Sequence, residues 1–437
     1  MILINRLYLD FNATSPLSPM VRERFFSCSD RSSDLELASD VQGHFANPGA
    51  KYFSAQESLK VIHQTAEFIL TLFKLPKHRV IFHSGGTEGI NLLLKGWAVE
   101  KLQLEARSGP KSNSKLLLCY STADHPCVVG SVDWICRVDD AYANLFAQHR
   151  PQPQLLRTQL PRLHQLELGI LDNALPDDKQ WATKISEQFS EQFGDNALMV
   201  GRSLLNFTYV NNETGVAWPL KLASNIKSQC GALVHVDAVQ LLGRLSPEYW
   251  QLAPDLDFYT FSGHKFGALP GIGFSLVSNN IPPFTLPLIS GGGQRAERGG
   301  SENVLGIYSL KLALEDLVAH YNYEENLQGR NYLEERLQQL LGERGVFFAK
   351  EAERKWGGRA AGATFLRSSN TIAFAIKGVS ADSIQMALDL QGIEVGRGAA
   401  CSSGINQTSR VLKAMGVEET LSKVIPTERT SPSLLPQ

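Results

Sequence analysis

The sequence predicts an α/β fold with a mostly parallel sheet, joined to a smaller α+β domain. Two observations carry this. Short apolar runs alternate with helix-period segments, and from about residue 280 a proline-marked stretch, IPPFTLP, changes the pattern. The length of 437 residues suits one large domain with a smaller companion.

RVIF (79–82), KLLLCY (115–120), LLNFTYV (204–210), ALVHVD (232–237) and LDFYTF (256–261) read as buried strands. Between the strands, QESLKVIHQTAEFILTLF places Leu59, Ile62, Ala66, Ile69 and Leu70 on one helical face. Strands alternating with helices put a ligand site outside the carboxyl ends of the strands. After IPPFTLP come a glycine cluster and a helix around Ile307, Leu310, Leu314 and Leu317. TIAFAIKG and ADSIQMALDL follow as a strand–helix pair of the second domain.

Composition narrows the function classes. The chain is 43% hydrophobic and 20% charged, with a net charge of −2 and both signs mixed throughout. That balance favours neither nucleic acid nor a membrane surface as partner. The opening MILINRLYLDF lacks the apolar stretch of a signal peptide or anchor. The six cysteines (Cys28, Cys119, Cys127, Cys136, Cys230, Cys401) form no C-x-x-C pair, which argues against a disulfide scaffold or zinc site and for a reducing cytoplasm.

Four strand or loop ends carry the chemistry. HSGGTEGINLLLKG (83–96) follows a strand and opens a helix at Thr87, so its glycines and free N–H groups suit a phosphate; a plain N-cap is the alternative. HVDAVQ (235–240) puts Asp237 at a strand end, where it would pair with a protonated pyridine nitrogen or cap a helix. SGHK (262–265) sets a hydroxyl, an imidazole and an amine in a glycine-loosened turn after LDFYTF. A desolvated lysine there can be a Schiff-base nucleophile and proton carrier, with Ser262 and His264 holding a phosphate; a surface cation is the alternative. VGRGAACSSG (395–404) places Cys401 in a small-residue loop near Arg397, which would favour a thiolate over an inert buried thiol.

The order and spacing of these segments resemble the pyridoxal-phosphate-dependent cysteine desulfurases, within the class V aminotransferase-like enzymes. The resemblance runs from YLDFNATSPLSP (8–19) through NPGAKYFSAQES, HSGGTEGINLLLKG, ADHPCVV, VNNETG, HVDAVQ, SGHK, GGGQ and RGGSENV to RGAACSSG and RVLKAMG (410–416). It implies the type I fold of pyridoxal-phosphate enzymes, with a large domain on a mostly parallel seven-stranded sheet and a smaller α+β domain. The expected division is 14–280 for the large domain, 1–13 with 281–423 for the small one, and 424–437 as a divergent, disordered tail. Lys265 matches the Schiff-base lysine and Asp237 the carboxylate on the pyridine nitrogen. Gln240 and Asn212 match groups near the ring and substrate, and His125 the histidine stacked on the ring, which can also shuttle protons. Gly86, Thr87, Ser262 and His264 match phosphate contacts. Ser301 matches a threonine reaching the neighbouring subunit's phosphate, which implies a homodimer, and Cys401 matches the nucleophile. The implied reaction takes sulfur from L-cysteine onto Cys401 as a persulfide, releases alanine, and passes the sulfur to an acceptor protein. Selenocysteine lyase or another lyase on the same scaffold, an inactive homologue, and an acceptor-binding scaffold are the alternatives.

The chain departs from the family pattern in four places. Tyr52 stands where histidine is usual, GGGQRAERGGSENV is one residue shorter, and HKFGALPG brings its glycine one place early and puts Pro270 for lysine. After RVLKAMGVEETLSK the family continues into a strand whose arginine binds the substrate carboxylate, whereas this chain runs VIPTERTSPSLLPQ. The expectation is a truncated or frameshifted end, an incomplete small domain, doubtful activity, and Arg397 taking over the carboxylate.

Overall fold

The computed structural model describes residues 6–28, 35–36, 46–107, 115–148, 162–170, 178–193, 201–285, 287–294, 297–350, 366–397, 409–418 and 425–428. Cys401 and Arg429 lie outside the described residues.

Helices and strands alternate through the first part of the chain. They run α1 (Phe53–Leu72), β1 (His78–His83), α2 (Gly86–Arg107), β2 (Lys115–Ser121), α3 (Pro126–Gln148), β3 (Arg162–Leu168), α4 (Asp178–Phe193), β4 (Ser203–Thr208), α5 (Leu220–Cys230), β5 (Leu233–Asp237), β6 (Phe258–Ser262) and β7 (Gly273–Ser278). The strands form one seven-stranded sheet in the order β1-β7-β6-β5-β4-β2-β3. Only β7 runs antiparallel to its neighbours β6 and β1; the other pairings are parallel.

Both faces of the sheet are covered, which is why its strands read as unbroken apolar runs. Successive residues of one strand point to opposite sides: Leu117 and Cys119 enter one core cluster, Leu116 and Leu118 the other. On one face Phe261 stacks on Phe274 at 4.7 Å between ring centroids and on Phe73 at 4.8 Å.

The buried seam of α1 is Ala55, Ser58, Val61, Thr65 and Ile69. Apart from Ile69, the apolar face expected from periodicity flanks this seam. Small residues occupy it where α1 packs on a later helix, and the Thr65 hydroxyl is satisfied by the Val61 carbonyl at 2.8 Å. That later helix, α6 (Val304–His320), packs on α1 and on the helix Pro19–Phe25. Its Ile307, Leu310 and Leu314 therefore join the main core, although the sequence reading assigned this region to the small domain.

The smaller layer follows with α7 (Tyr323–Leu341), β8 (Gly345–Phe347), β9 (Thr371–Ile376), α8 (Ala381–Leu390), β10 (Ile393–Glu394) and β11 (Ile425–Glu428). β8, β9 and β11 form a three-stranded sheet with β9 in the middle. The segment Leu7–Tyr8 pairs in parallel with β10 and so ties the N-terminus to this layer.

β11 corrects the reading of 424–437 as a wholly disordered tail. Its register sets Ile425 opposite Phe374 and Glu428 opposite Thr371. Pro426 made the segment read as a loop, but proline is tolerated on an edge strand, whose outer N–H needs no partner, and β11 is such an edge. The small sheet thus has its last strand, and Arg429 follows it directly in the chain.

Candidate active site

One cavity of about 750 Å³ opens at the carboxyl ends of the parallel strands. Gly86, Thr87, His125, Asn212, Asp237, Gln240, Ser262, His264, Lys265 and Arg397 all line it, so the structure brings together ten of the twelve residues predicted from the sequence. Ser301 is exposed and lies outside the cavity wall.

Each group arrives from a defined element. Asp237 ends β5 and Ser262 ends β6, and a short 3-10 turn, Gly263–Lys265, carries the amine. Gly267, two residues beyond, has φ of +92°, and a Cβ there would lie 2.9 Å from the Ser18 backbone nitrogen. The glycine is required where this sequence puts it, one place earlier than the family pattern.

Lys265 is held by the N-terminal segment. Its Nζ donates to the carbonyls of Asn12 and, at 2.8 Å, Ala13. Its own carbonyl accepts from the Ser15 hydroxyl and the Arg244 guanidinium, both at 2.6 Å. Buried Arg244 also donates to the Phe11 carbonyl at 2.7 Å and to Asn12 Oδ1 at 3.3 Å. Asn12 in turn accepts from Gln240 at 3.0 Å and donates to the Asn212 carbonyl at 3.0 Å.

Burial shifts the titrating groups. It pushes the Asp237 carboxyl up to about 6, against the pull of the Val239 amide and Lys265. Burial, reinforced by the charge of Lys265, lowers His125 and His264 to about 4, so both are neutral near pH 7. His125 Nδ1 accepts the Cys127 N–H at 3.2 Å, which leaves the ring proton on Nε2, and it meets the Cys127 sulfur at 3.0 Å.

The sequence reading missed Asn12, Arg244 and Asp124. Asn12 sits in the quoted YLDFNATSPLSP and Asp124 in ADHPCVV, so both segments carried a signal; Arg244 acts mainly on backbone carbonyls, which no local motif reports. Asp124 is buried and accepts from the Ser121 N–H (2.9 Å), Asn206 (2.8 Å) and Thr208 (2.7 Å). Arg397 lines the cavity but is ion-paired with Asp382, so it is already engaged.

The residues fit a phosphorylated pyridine aldehyde. Among the described residues, Ser262 Oγ and Gln240 Oε1 are buried cavity-wall atoms without a hydrogen-bond partner. Asp237 offers a buried carboxylate that has no ion pair among the described residues. A Cβ on Gly86 would lie 2.8 Å from Val239, so that turn can come close to its neighbours only as glycine.

A half-buried lysine, a buried carboxylate and a phosphate-sized turn at the strand ends of this sheet define a type I pyridoxal-phosphate enzyme. The family model for class-V aminotransferases matches residues 186–421, more than half the chain. An IscS-like cysteine desulfurase of Mycobacterium tuberculosis is 27% identical over 415 residues, covering 94% of this chain and 88% of that protein. A cysteine desulfurase of Gluconacetobacter diazotrophicus is 28% identical over 421 residues, covering 95% and 86%. The solved structure of SspA in complex with cysteine aligns with a TM-score of 0.66 at 22% identity, over 97% of this chain and 98% of that one. The chain belongs to the class-V aminotransferase family, in its cysteine desulfurase branch, and pyridoxal phosphate is its cofactor.

Proposed function

We propose that this cysteine desulfurase works through Lys265, Asp237, His125 and Cys401, with L-cysteine as substrate. The carrying observation is that the Lys265 amine and the buried Asp237 carboxylate face one cavity whose wall also holds the unpartnered Ser262 hydroxyl. Pyridoxal phosphate, when bound, supplies the electron sink that lets the Cα proton and the sulfur of cysteine leave.

Lys265 would hold the cofactor covalently, and Asp237 would keep its ring nitrogen protonated. Gly86, Thr87, Ser262 and His264 would take its phosphate. The free Lys265 amine would serve as the base for the Cα proton, and its two carbonyl partners hold it at the cavity wall. Neutral His125, protonated on Nε2, would cover the ring and could give or take one proton. The Cys401 thiolate attacks the sulfur of the substrate; the new S–S bond replaces the C–S bond, and protonation of the carbon gives alanine. The persulfide then passes to an acceptor protein.

Because Arg397 is paired with Asp382, Arg429 is the better candidate for the substrate carboxylate: it follows the edge strand β11 directly. Exposed Ser301 is offered to the cofactor site of a second copy in a homodimer. Among the described residues no helix is long and apolar enough to cross a membrane, and a cytoplasmic enzyme is our reading.

The test is alanine release from L-cysteine with pyridoxal phosphate and a thiol reductant, with Cys401→Ser and Lys265→Ala alongside. Wild type should release alanine, Cys401→Ser should keep the visible cofactor band without alanine, and Lys265→Ala should lose both. Equal alanine from Cys401→Ser would sink the persulfide route.

A further inference from the structure

Beneath the cavity floor, six buried side chains join into one hydrogen-bonded line. Asp124 accepts from Asn206 at 2.8 Å; Asn206 Oδ1 meets His235 Nδ1 at 2.6 Å; His235 Nε2 meets Thr260 at 2.8 Å. Thr260 meets Ser275 at 2.9 Å, and Ser275 meets His83 Nε2 at 3.0 Å. At the far end His83 Nδ1 accepts the N–H of Gly85, in the turn that opens α2.

The His83 end sets the sense of the bonds along the line. The Gly85 amide can only donate, so His83 accepts at Nδ1 and its proton sits on Nε2. That proton goes to Ser275, whose hydroxyl goes to Thr260, whose hydroxyl goes to His235 Nε2. His235 then carries its proton on Nδ1 for Asn206 Oδ1, and the Asn206 amide donates to Asp124. Both histidines are neutral, since burial lowers His83 to about 4 and His235 to about 3. Burial raises Asp124 to about 7, while the donors from Thr208, Ser121 and Asn206 oppose that rise.

The line joins two walls of the cavity. Asp124 also accepts the Ser121 N–H and the Thr208 hydroxyl, which bolts the turn before His125 to β4. His83 stands under the Gly85–Thr87 turn, and the helix is cut away to admit it: a Cβ on Gly89 would lie 2.3 Å from His83 Nε2. All six members are buried, so a break strands polar atoms where water cannot replace the lost bond.

We propose that Asp124, Asn206, His235, Thr260, Ser275 and His83 form a single polar tie that positions His125 on one wall and the Gly85–Thr87 turn on the other. These are positioning residues, and their role rests on the cavity being the cofactor site proposed above. A tie that acts as a unit is lost once, wherever it is cut.

The test uses the holoenzyme, ring-15N-labelled at histidine, with Asn206→Leu, Ser275→Ala, the double variant and Thr260→Ser. Solid-state NMR of the wild type should show His235 protonated at Nδ1 and His83 at Nε2, both neutral. Each single cut should weaken pyridoxal phosphate binding by about tenfold and shift the visible cofactor band. The double variant should cost no more than the worse single one, and Thr260→Ser, which keeps the hydroxyl, should bind as wild type does. Either histidine in the opposite tautomer, or losses that multiply in the double variant, would overturn the tie. A wild type that takes up no pyridoxal phosphate would overturn the cavity assignment and the positioning role with it, and the NMR tautomers would then identify the line as core structure alone.

Discussion

The cavity has two unlike halves. Asp237, Ser262 and Lys265 come from strand ends in the middle of a seven-stranded sheet covered on both faces, where each position is gripped from both sides. Arg397 follows β10, a short strand of the smaller layer paired with Leu7–Tyr8, and Arg429 follows β11, the proline-containing edge of the three-stranded sheet. The groups proposed to bind the cofactor thus sit on the thick layer, and those proposed to receive the substrate on the thin one. Damage to the first should be felt as lost chemistry, and damage to the second as lost substrate affinity.

The largest expected effect lies in the thick half. Asp237→Asn should lower kcat on the order of 10³-fold with a small change in KM, because the ring nitrogen loses its charged partner. A kcat within a few fold of wild type would remove Asp237 from its role. In the thin half, Arg429→Ala should raise KM for cysteine roughly 10- to 100-fold while kcat changes little, and Arg397→Ala should do much less. The reverse ranking would restore Arg397 as the carboxylate clamp.

Smaller effects sharpen the comparison. Gly89→Ala should destabilise the protein by about 1–3 kcal/mol, since its Cβ meets both His83 and Thr260 at less than a contact distance. A thermal shift of zero would show that His83 can move freely. The mildest effect is on pH. His83, His125 and His264 fall to about 4 and His235 to about 3 in the folded chain, against 6.5 when unfolded. Their stabilisation is present above about 6.5 and is lost as pH falls. Asp124 and Asp237, raised to about 7 and about 6, act in the opposite sense and stabilise the fold on acidification. Burial lowers His78 with these imidazoles and raises Asp10, Glu213 and Asp257 with the two carboxyls; the imidazoles cross their ordinary 6.5 inside this window, so Tm of the cofactor-free protein should fall between pH 7 and pH 5. A Tm that rises there would contradict the neutral histidines.

The thick half was the legible half. Its strands announce themselves as apolar runs, and Asp237 and Lys265 stand out because charge at the end of such a run needs a reason. The seam of α1 was less legible, because Ser58 and Thr65 are buried by close helix packing rather than by hydrophobicity. β11 was misread because proline counts against a strand in one dimension, whereas its cost depends on whether a neighbour stands on that side. Arg244 was invisible for another reason: its partners Phe11, Asn12 and Lys265 are distant in the chain, while Asp124 lies inside ADHPCVV but its role depends on Asn206 and Thr208 of a later strand.

The pairing of Leu7–Tyr8 with Ile393–Glu394 has a consequence for how the enzyme is made. Asn12 and Ala13, whose carbonyls receive the Lys265 amine, are anchored by a strand whose partner is synthesised well after Lys265 itself. During translation Lys265 emerges long before the segment that seats its amine can dock. A nascent chain halted before Ile393 should therefore hold the cofactor loosely, and its firm capture waits until Ile393 and Glu394 can reach Leu7 and Tyr8.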